Sequence, residues 1–157
     1  MVIQNGLGGM IFGGADIPGF LGDPSLEMWI RGYQMGMYMP VFRAHSDISQ
    51  VDREPWKQTK RVQDVIRDAI NRRYDMIHYL YTTFWWATQD GGPILRPMWF
   101  EFPDETDLYT MDSQFMFGES MLVAPKISQP GPLSEWQEQE VNFYLPKSAT
   151  WYNYYTK

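Results

Sequence analysis

The sequence predicts an α/β body followed by a smaller all-β region, and three observations carry that reading. Across residues 10–44 a short apolar run, a helical stretch and a second short apolar run follow one another, the order of a βαβ unit with a parallel pairing. From about Gln58 to about Gln89 the apolar residues keep the helical period for most of a long helix. Beyond Gly91-Gly92-Pro93 that period is lost, and short β-like runs alternate with turns.

Taken in order, residues 1–9 read as the last turn of a helix, closed by Gly6 or Gly8. Residues 10–14 form the first strand, which ends in a glycine pair. The stretch Ile-Phe-Gly-Gly-Ala-Asp-Ile-Pro-Gly-Phe, residues 11–20, then presents one carboxylate, Asp16, and turns through Pro18 and Gly19. Asp23-Pro24 predicts the next helix start: an N-cap acceptor, Pro at the first helical position, and Glu27 in the first turn. Leu26, Trp29, Ile30, Tyr33 and Met37 recur at three- and four-residue steps and give this helix one buried face, and Pro40 ends it. Residues 41–44 form the second strand, with Arg43 at its end and His45 just beyond.

Residues 45–56 are a polar loop, rich in Ser, Asp and Pro. In the long helix that follows, Val62, Val65, Ile66, Ala69, Ile70, Ile77, Leu80, Tyr81 and Phe84 mark the buried face. The β region contains runs at residues 94–102, 120–125, 141–145 and 150–154, with turns at Asp104-Glu105 and at residues 128–131. The final run reads as a strand without a partner, an open edge. Both ends of the chain therefore read as cut. The expected division is residues 1–91 and residues 92–157.

Composition narrows the function. A net charge of −6 argues against a nucleic-acid surface, which needs clustered Lys and Arg. The one basic cluster, residues 57–73, is interleaved with Asp64 and Asp68 and reads as a solvated helix face. The absence of Cys excludes disulfides and thiolate metal sites, and two His residues alone make no catalytic zinc site. No apolar run approaches the roughly 20 residues that span a bilayer, so no membrane insertion is expected. The start carries no signal-peptide pattern. Neither a phosphate loop nor a Gly-x-Ser-x-Gly elbow occurs, and no cofactor is expected. Aromatic residues make up 17% of the chain; such rings stack well on sugars, and the same rings fill cores.

In parallel α/β folds chemistry collects where strands run into helices, and Asp16 and His45 stand at the two such positions. Together an Asp and a neutral His offer acceptors and a donor to vicinal hydroxyls. Phe20 and Trp56 could wall such a pocket, and the Arg43 fork suits a carboxylate such as Asp16. Each also has a plainer reading. Asp16 could satisfy the N–H groups of its own turn, and His45 could be structural. His78 reads as packing or surface, and Met35, Met37 and Met39 as core filler.

At these residues the sequence resembles glycoside hydrolase family 31. The stretches that carry the resemblance are Gly14-Ala15-Asp16-Ile17-Pro18-Gly19-Phe20, Arg31-Gly32-Tyr33-Gln34-Met35-Gly36, Phe42-Arg43-Ala44-His45-Ser46, Arg53-Glu54-Pro55-Trp56, Leu95-Arg96-Pro97-Met98-Trp99, and residues 118–125, six blocks in order. The resemblance implies the C-terminal part of a (β/α)8 TIM barrel followed by a β-sandwich domain, with residues 10–14 and 41–44 as the seventh and eighth barrel strands. It implies a retaining α-glucosidase, most like the members that trim terminal glucose from N-linked glycans in the endoplasmic reticulum lumen. Those members pair with a non-catalytic subunit.

Such enzymes use two carboxylates about 5–5.5 Å apart. In the family these lie in a Trp-Ile-Asp-Met-Asn-Glu-like motif and an Arg-Trp-x-Gly-His-Trp-x-Gly-Asp-Asn-like motif, and neither occurs here. No catalytic residue is therefore assigned, and the chain alone is expected to be inactive. By the resemblance Asp16 and His45 hold the glucose of the first subsite, Phe20 lines it, and Arg43 supports His45. Pro18 departs from the small residue that many members carry there. Three alternatives stay open: a stand-alone carbohydrate-binding module, another family activity such as α-xylosidase, or a self-contained hydrolase using Asp16 with Asp23 or Glu54.

Overall fold

A computed structural model describes residues 1–126 and 140–156. The expected turn at residues 128–131 lies outside the described residues. A short helix, α1 (Val2–Leu7), opens the chain where the closing turn of a helix was expected. The next helix, α2 (Leu26–Gly36), starts at Ser25 rather than Asp23, because Ser25 Oγ accepts the Met28 N–H at 3.2 Å. It stops one turn before Pro40. The turn that follows is held by the buried Arg73, which donates to the carbonyls of Met37 at 2.8 Å and Pro40 at 3.0 Å.

The expected long helix is two helices, α3 (Lys60–Asp75) and α4 (Ile77–Asp90). At Met76 the backbone leaves helical values (φ −94°, ψ −3°), and its N–H is shared between the carbonyls of Arg72 and Arg73, 3.2 Å from each. The Met76 side chain is buried in the core, so burial keeps its helical period through the break, from Ala69 and Arg73 to Leu80 and Ala87, while Ile77 and Tyr81, expected on the buried face, are exposed.

Neither residues 10–14 nor residues 41–44 form a regular strand. They do run side by side: Val41 N donates to Gly13 O at 3.1 Å, Ile17 N to Arg43 O at 3.2 Å, and His45 N to Ile17 O at 3.3 Å. The expected parallel pairing survives as a single parallel bridge, Ile17 to Ala44. Among the described residues no third strand lies beside these two segments, which make too few ladder bonds for a sheet, and parallel pairs are the weaker kind.

The regular sheet lies in the second half. Its strands are β1 (Leu95–Pro97), β2 (Phe115–Phe117) and β3 (Met121–Val123), antiparallel in the order β1-β2-β3. Strand β2 was not expected; its Phe-Met-Phe run is too short to show alternation, and all three residues are buried. Phe115 and Phe117 face the core shared with the helices, while Met116 joins Met98 and Leu108 in a second core on the other face. The β2–β3 hairpin turns at Gly118, whose φ of +61° favours glycine. Tyr79 of α4 clasps that turn, donating to Phe117 O at 2.9 Å and accepting from Ser120 N at 3.1 Å.

Three expected β-runs come out differently. After Pro97 the first run becomes a helical turn, α5 (Met98–Glu101), pinned by an Arg96–Glu101 ion pair. Residues 141–145 form no strand, because the Gln114 amide takes both backbone groups of Tyr144, at 2.7 and 2.8 Å. Residues 150–154 form no strand: Trp151 packs into the second core, and the chain turns at residues 154–156, where Asn153 Oδ1 accepts from the N–H groups of Tyr155 and Thr156.

Candidate functional site

The two parallel segments place their ends together because small residues let helix α2 come close beneath them. A Cβ on Gly36 would lie 2.2 Å from Ile17 Cδ1, and one on Gly32 would lie 3.2 Å from Pro18 Cβ. On the strand side, a Cβ on Gly14 would meet Val41 O at 2.1 Å. At Gly14 the obstacle is backbone and only glycine fits, while at Gly32 and Gly36 a larger residue would have to displace the Pro18 or Ile17 side chain, which gives the Arg-Gly-x-x-x-Gly pattern and the first glycine of the Gly-Ala-Asp stretch a physical meaning. Ile17 is buried between them, so its neighbour Asp16 is turned to the rim. Beneath the rim Tyr33 meets Trp29 and Phe42, and burial pushes its phenol up to about 12, which keeps it a neutral packing group.

On this base the four expected site residues form two pairs. Arg43 Nε donates to Asp16 Oδ1 at 2.9 Å, and the rings of Phe20 and His45 lie with centroids 5.7 Å apart, tilted by 33°. The backbone ties the pairs together, since Ile17 bridges Ala44 and Asp47 N donates to Phe20 O at 3.1 Å. Among the described residues nothing donates to Asp16 Oδ2, and nothing bonds either ring nitrogen of His45. A neutral imidazole offers one donor and one acceptor, and a carboxylate oxygen accepts. Each hydroxyl of a vicinal diol can both donate and accept, so this arrangement suits a sugar, with the Phe20 face alongside.

Other expected residues stay apart from this rim. Trp56 is 69% exposed and makes no ring contact with Phe20 or His45 among the described residues. His78 is an exposed residue of α4. Sequence reasoning overlooked two tethers in the polar loop: Gln50 accepts from Gly22 N at 2.7 Å, and the buried Arg53 donates to Gly22 O at 2.5 Å. In the sequence Arg53 stands out only as part of the Arg-Glu-Pro-Trp block. Its being the sole Arg of a polar loop was the available signal.

The rim is open. A cavity of about 1720 Å³ lies between α2, α3 and the C-terminal segment, and none of Asp16, Phe20, Arg43 or His45 lines it. Among the described residues no group of three or more His, Cys, Asp or Glu could hold a metal ion, and no helix is long and apolar enough to cross a membrane.

Comparison with known proteins adds the following. Residues 1–83 match the TIM-barrel domain of glycosyl hydrolases family 31, and residues 91–157 match the C-terminal domain of the same family. The chain is 37% identical over 154 residues to the mouse neutral alpha-glucosidase AB, covering 98% of this chain and 16% of that protein. It is 40% identical over 153 residues to a probable glucan 1,3-alpha-glucosidase of rice, covering 98% and 16%. The chain thus spans about a sixth of the length of these curated relatives. A solved heterodimeric complex of endoplasmic-reticulum glucosidase II, catalytic subunit with the binding domain of the regulatory subunit, superposes with a TM-score of 0.78 at 36% identity, over 82% of this chain and 14% of that one.

Proposed function

The chain belongs to glycosyl hydrolase family 31, and from that premise we propose that its rim holds the terminal glucose of an α-glucoside in the first subsite of a retaining α-glucosidase. The observation that carries the proposal is the Asp16–Arg43 pair standing beside the His45–Phe20 pair, with a carboxylate oxygen and both imidazole nitrogens unengaged by the described residues. Asp16 grips hydroxyls, His45 shares them, Phe20 packs on the ring, and Arg43 aims the carboxylate. None of them cuts the bond. The nucleophile and the acid belong to the two Asp motifs that these 157 residues do not contain.

The proposal extends to organisation. Residues 1–91 act as the C-terminal portion of a (β/α)8 catalytic barrel and residues 92–157 as the proximal β-domain. Large exposed apolar side chains, among them Met10, Phe12, Tyr81 and Trp85, favour a body that packs against further structure over a free-standing binding module. By similarity to glucosidase II the whole enzyme removes glucose from N-linked glycans in the endoplasmic reticulum lumen and pairs with a regulatory subunit.

An aryl α-glucoside assay of the 157-residue chain tests the division of labour. No turnover is expected. Turnover abolished by Asp16→Asn would make Asp16 a cutting residue and overturn the proposal.

A further inference from the structure

We infer that Arg53 is a positioning residue for the sugar rim, holding Phe20 on His45 through the backbone of Gly22; the inference rests on the reading of that rim as a sugar site. Phe20 lies on a short loop that needs outside support, for Gly22 sits at φ +76° and Leu21 is 71% exposed. That support comes from residues 47–53. Asp47 N donates to Phe20 O at 3.1 Å, Gln50 Oε1 accepts from Gly22 N at 2.7 Å, and Arg53 donates to Gly22 O at 2.5 Å. Side chains of one loop thus take both polar groups of a single residue in the other. Gln50 is itself aimed by Ser49, which leans on Asp47, at 2.9 and 2.5 Å.

Arg53 differs from an ordinary surface tether. It is 5% exposed, and its Nε and Nη1 are buried without a partner among the described residues, as is Oε2 of its neighbour Glu54. A buried guanidinium with so few bonds is a poor stabiliser, since its desolvation is not offset by full pairing. What it supplies is geometry: a fixed point under Gly22, two residues from Phe20. The guanidinium fork reaches that carbonyl from a buried position that an uncharged side chain of similar length does not exploit.

The two His residues of the chain make the test direct. In a His78→Gln background the single remaining imidazole is His45, and the Phe20 ring above it shifts its proton signals. Phe20→Leu sets the zero of that shift. Arg53→Met is expected to bring the His45 signals to the Phe20→Leu position, while Arg53→Lys retains most of the shift. Gln50→Ala, which cuts the second tether and leaves Arg53 in place, should move them in the same direction and covers the case in which Arg53→Met does not fold. His45 signals that stay at the wild-type position in folded Arg53→Met overturn the inference, as does a wild-type spectrum matching Phe20→Leu. Added glucose separates this from the reading beneath it. Should glucose leave His45 unmoved while Arg53→Met still abolishes the ring shift, the sugar reading fails and the positioning role stands.

Discussion

Two of the loop carboxylates of this chain, Glu105 and Asp16, have opposite surroundings. Glu105 is saturated by its own chain: Tyr144 Oη donates to one oxygen at 2.7 Å, while Lys147 N at 3.0 Å and Ser148 Oγ at 3.4 Å donate to the other. The Tyr144 hydroxyl first, then the neighbouring backbone N–H groups, holds its carboxyl below the usual range, and the same bond raises the Tyr144 phenol. Among the described residues Asp16 takes one bond, from Arg43 Nε, and its second oxygen takes none. The helix layer beneath it does the positioning that donors do for Glu105. A carboxylate whose lone pairs go to a phenol, a hydroxyl and a backbone N–H of its own chain staples a fold; one aimed by a single Arg suits the ligand role proposed for Asp16.

The largest effect that separates the two is steric. Gly14→Ala forces a Cβ onto the Val41 carbonyl, so the two parallel segments must part. We expect a loss of about 3 kcal/mol in chemical denaturation, typical of overpacking against a surface that cannot yield. Hydrogen exchange should quicken at Ile17 and His45 and stay unchanged at Lys147. Equal quickening at both sites would mean that the rim and the staple are one cooperative unit.

Next in size is the grip itself. Asp16→Asn should weaken glucose binding by about 10- to 100-fold, the worth of hydrogen bonds to a charged acceptor. The midpoint of unfolding should hardly move, because the pair with the largely solvent-exposed Arg43 contributes little. A large loss of stability with unchanged binding would place Asp16 with Glu105 as a staple. For Glu105→Gln the expectation is the mirror image: freer exchange at Lys147 and Ser148, and sugar binding untouched.

The mildest probe is acid. The folded pKa of Glu105 lies below its unfolded value, so its contribution is complete above the ordinary Glu range, about 4.3, and is lost as pH falls through the lowered folded value. The segment that carries Tyr144 and Lys147 should loosen across that window. Exchange followed against pH checks this, and loosening that begins near neutrality would contradict it.

How much of this was legible in the sequence follows from the range of each signal. The α2 face, apart from Leu26, which is exposed at the start of the helix, the stop at Gly91-Gly92-Pro93 and the pairing of residue 16 with residue 43 were readable, because local period, turn chemistry and charge complementarity report them. The break at Met76 was not, since a buried Met keeps the apolar period on both sides of it. Strand β2 escaped because three buried residues show no alternation. Residues 141–145 misled because the group that takes their backbone bonds is a side chain, Gln114, some 30 residues away. At the rim, residue types pointed to Asp16, Arg43, His45 and Phe20, which the structure joins in two pairs, while Gln50 and Arg53 act on a backbone carbonyl and N–H whose positions only the fold supplies.

One titration tests the central claim, that Asp16 holds a sugar while Glu105 holds the fold. The side-chain carboxyl carbons of the 157-residue chain are followed by NMR as glucose is added. The account predicts saturable movement of the Asp16 carboxyl, with the His45 ring moving in step, and a Glu105 carboxyl that stays still. Movement at Glu105, or glucose that leaves both Asp16 and His45 unmoved, would contradict it.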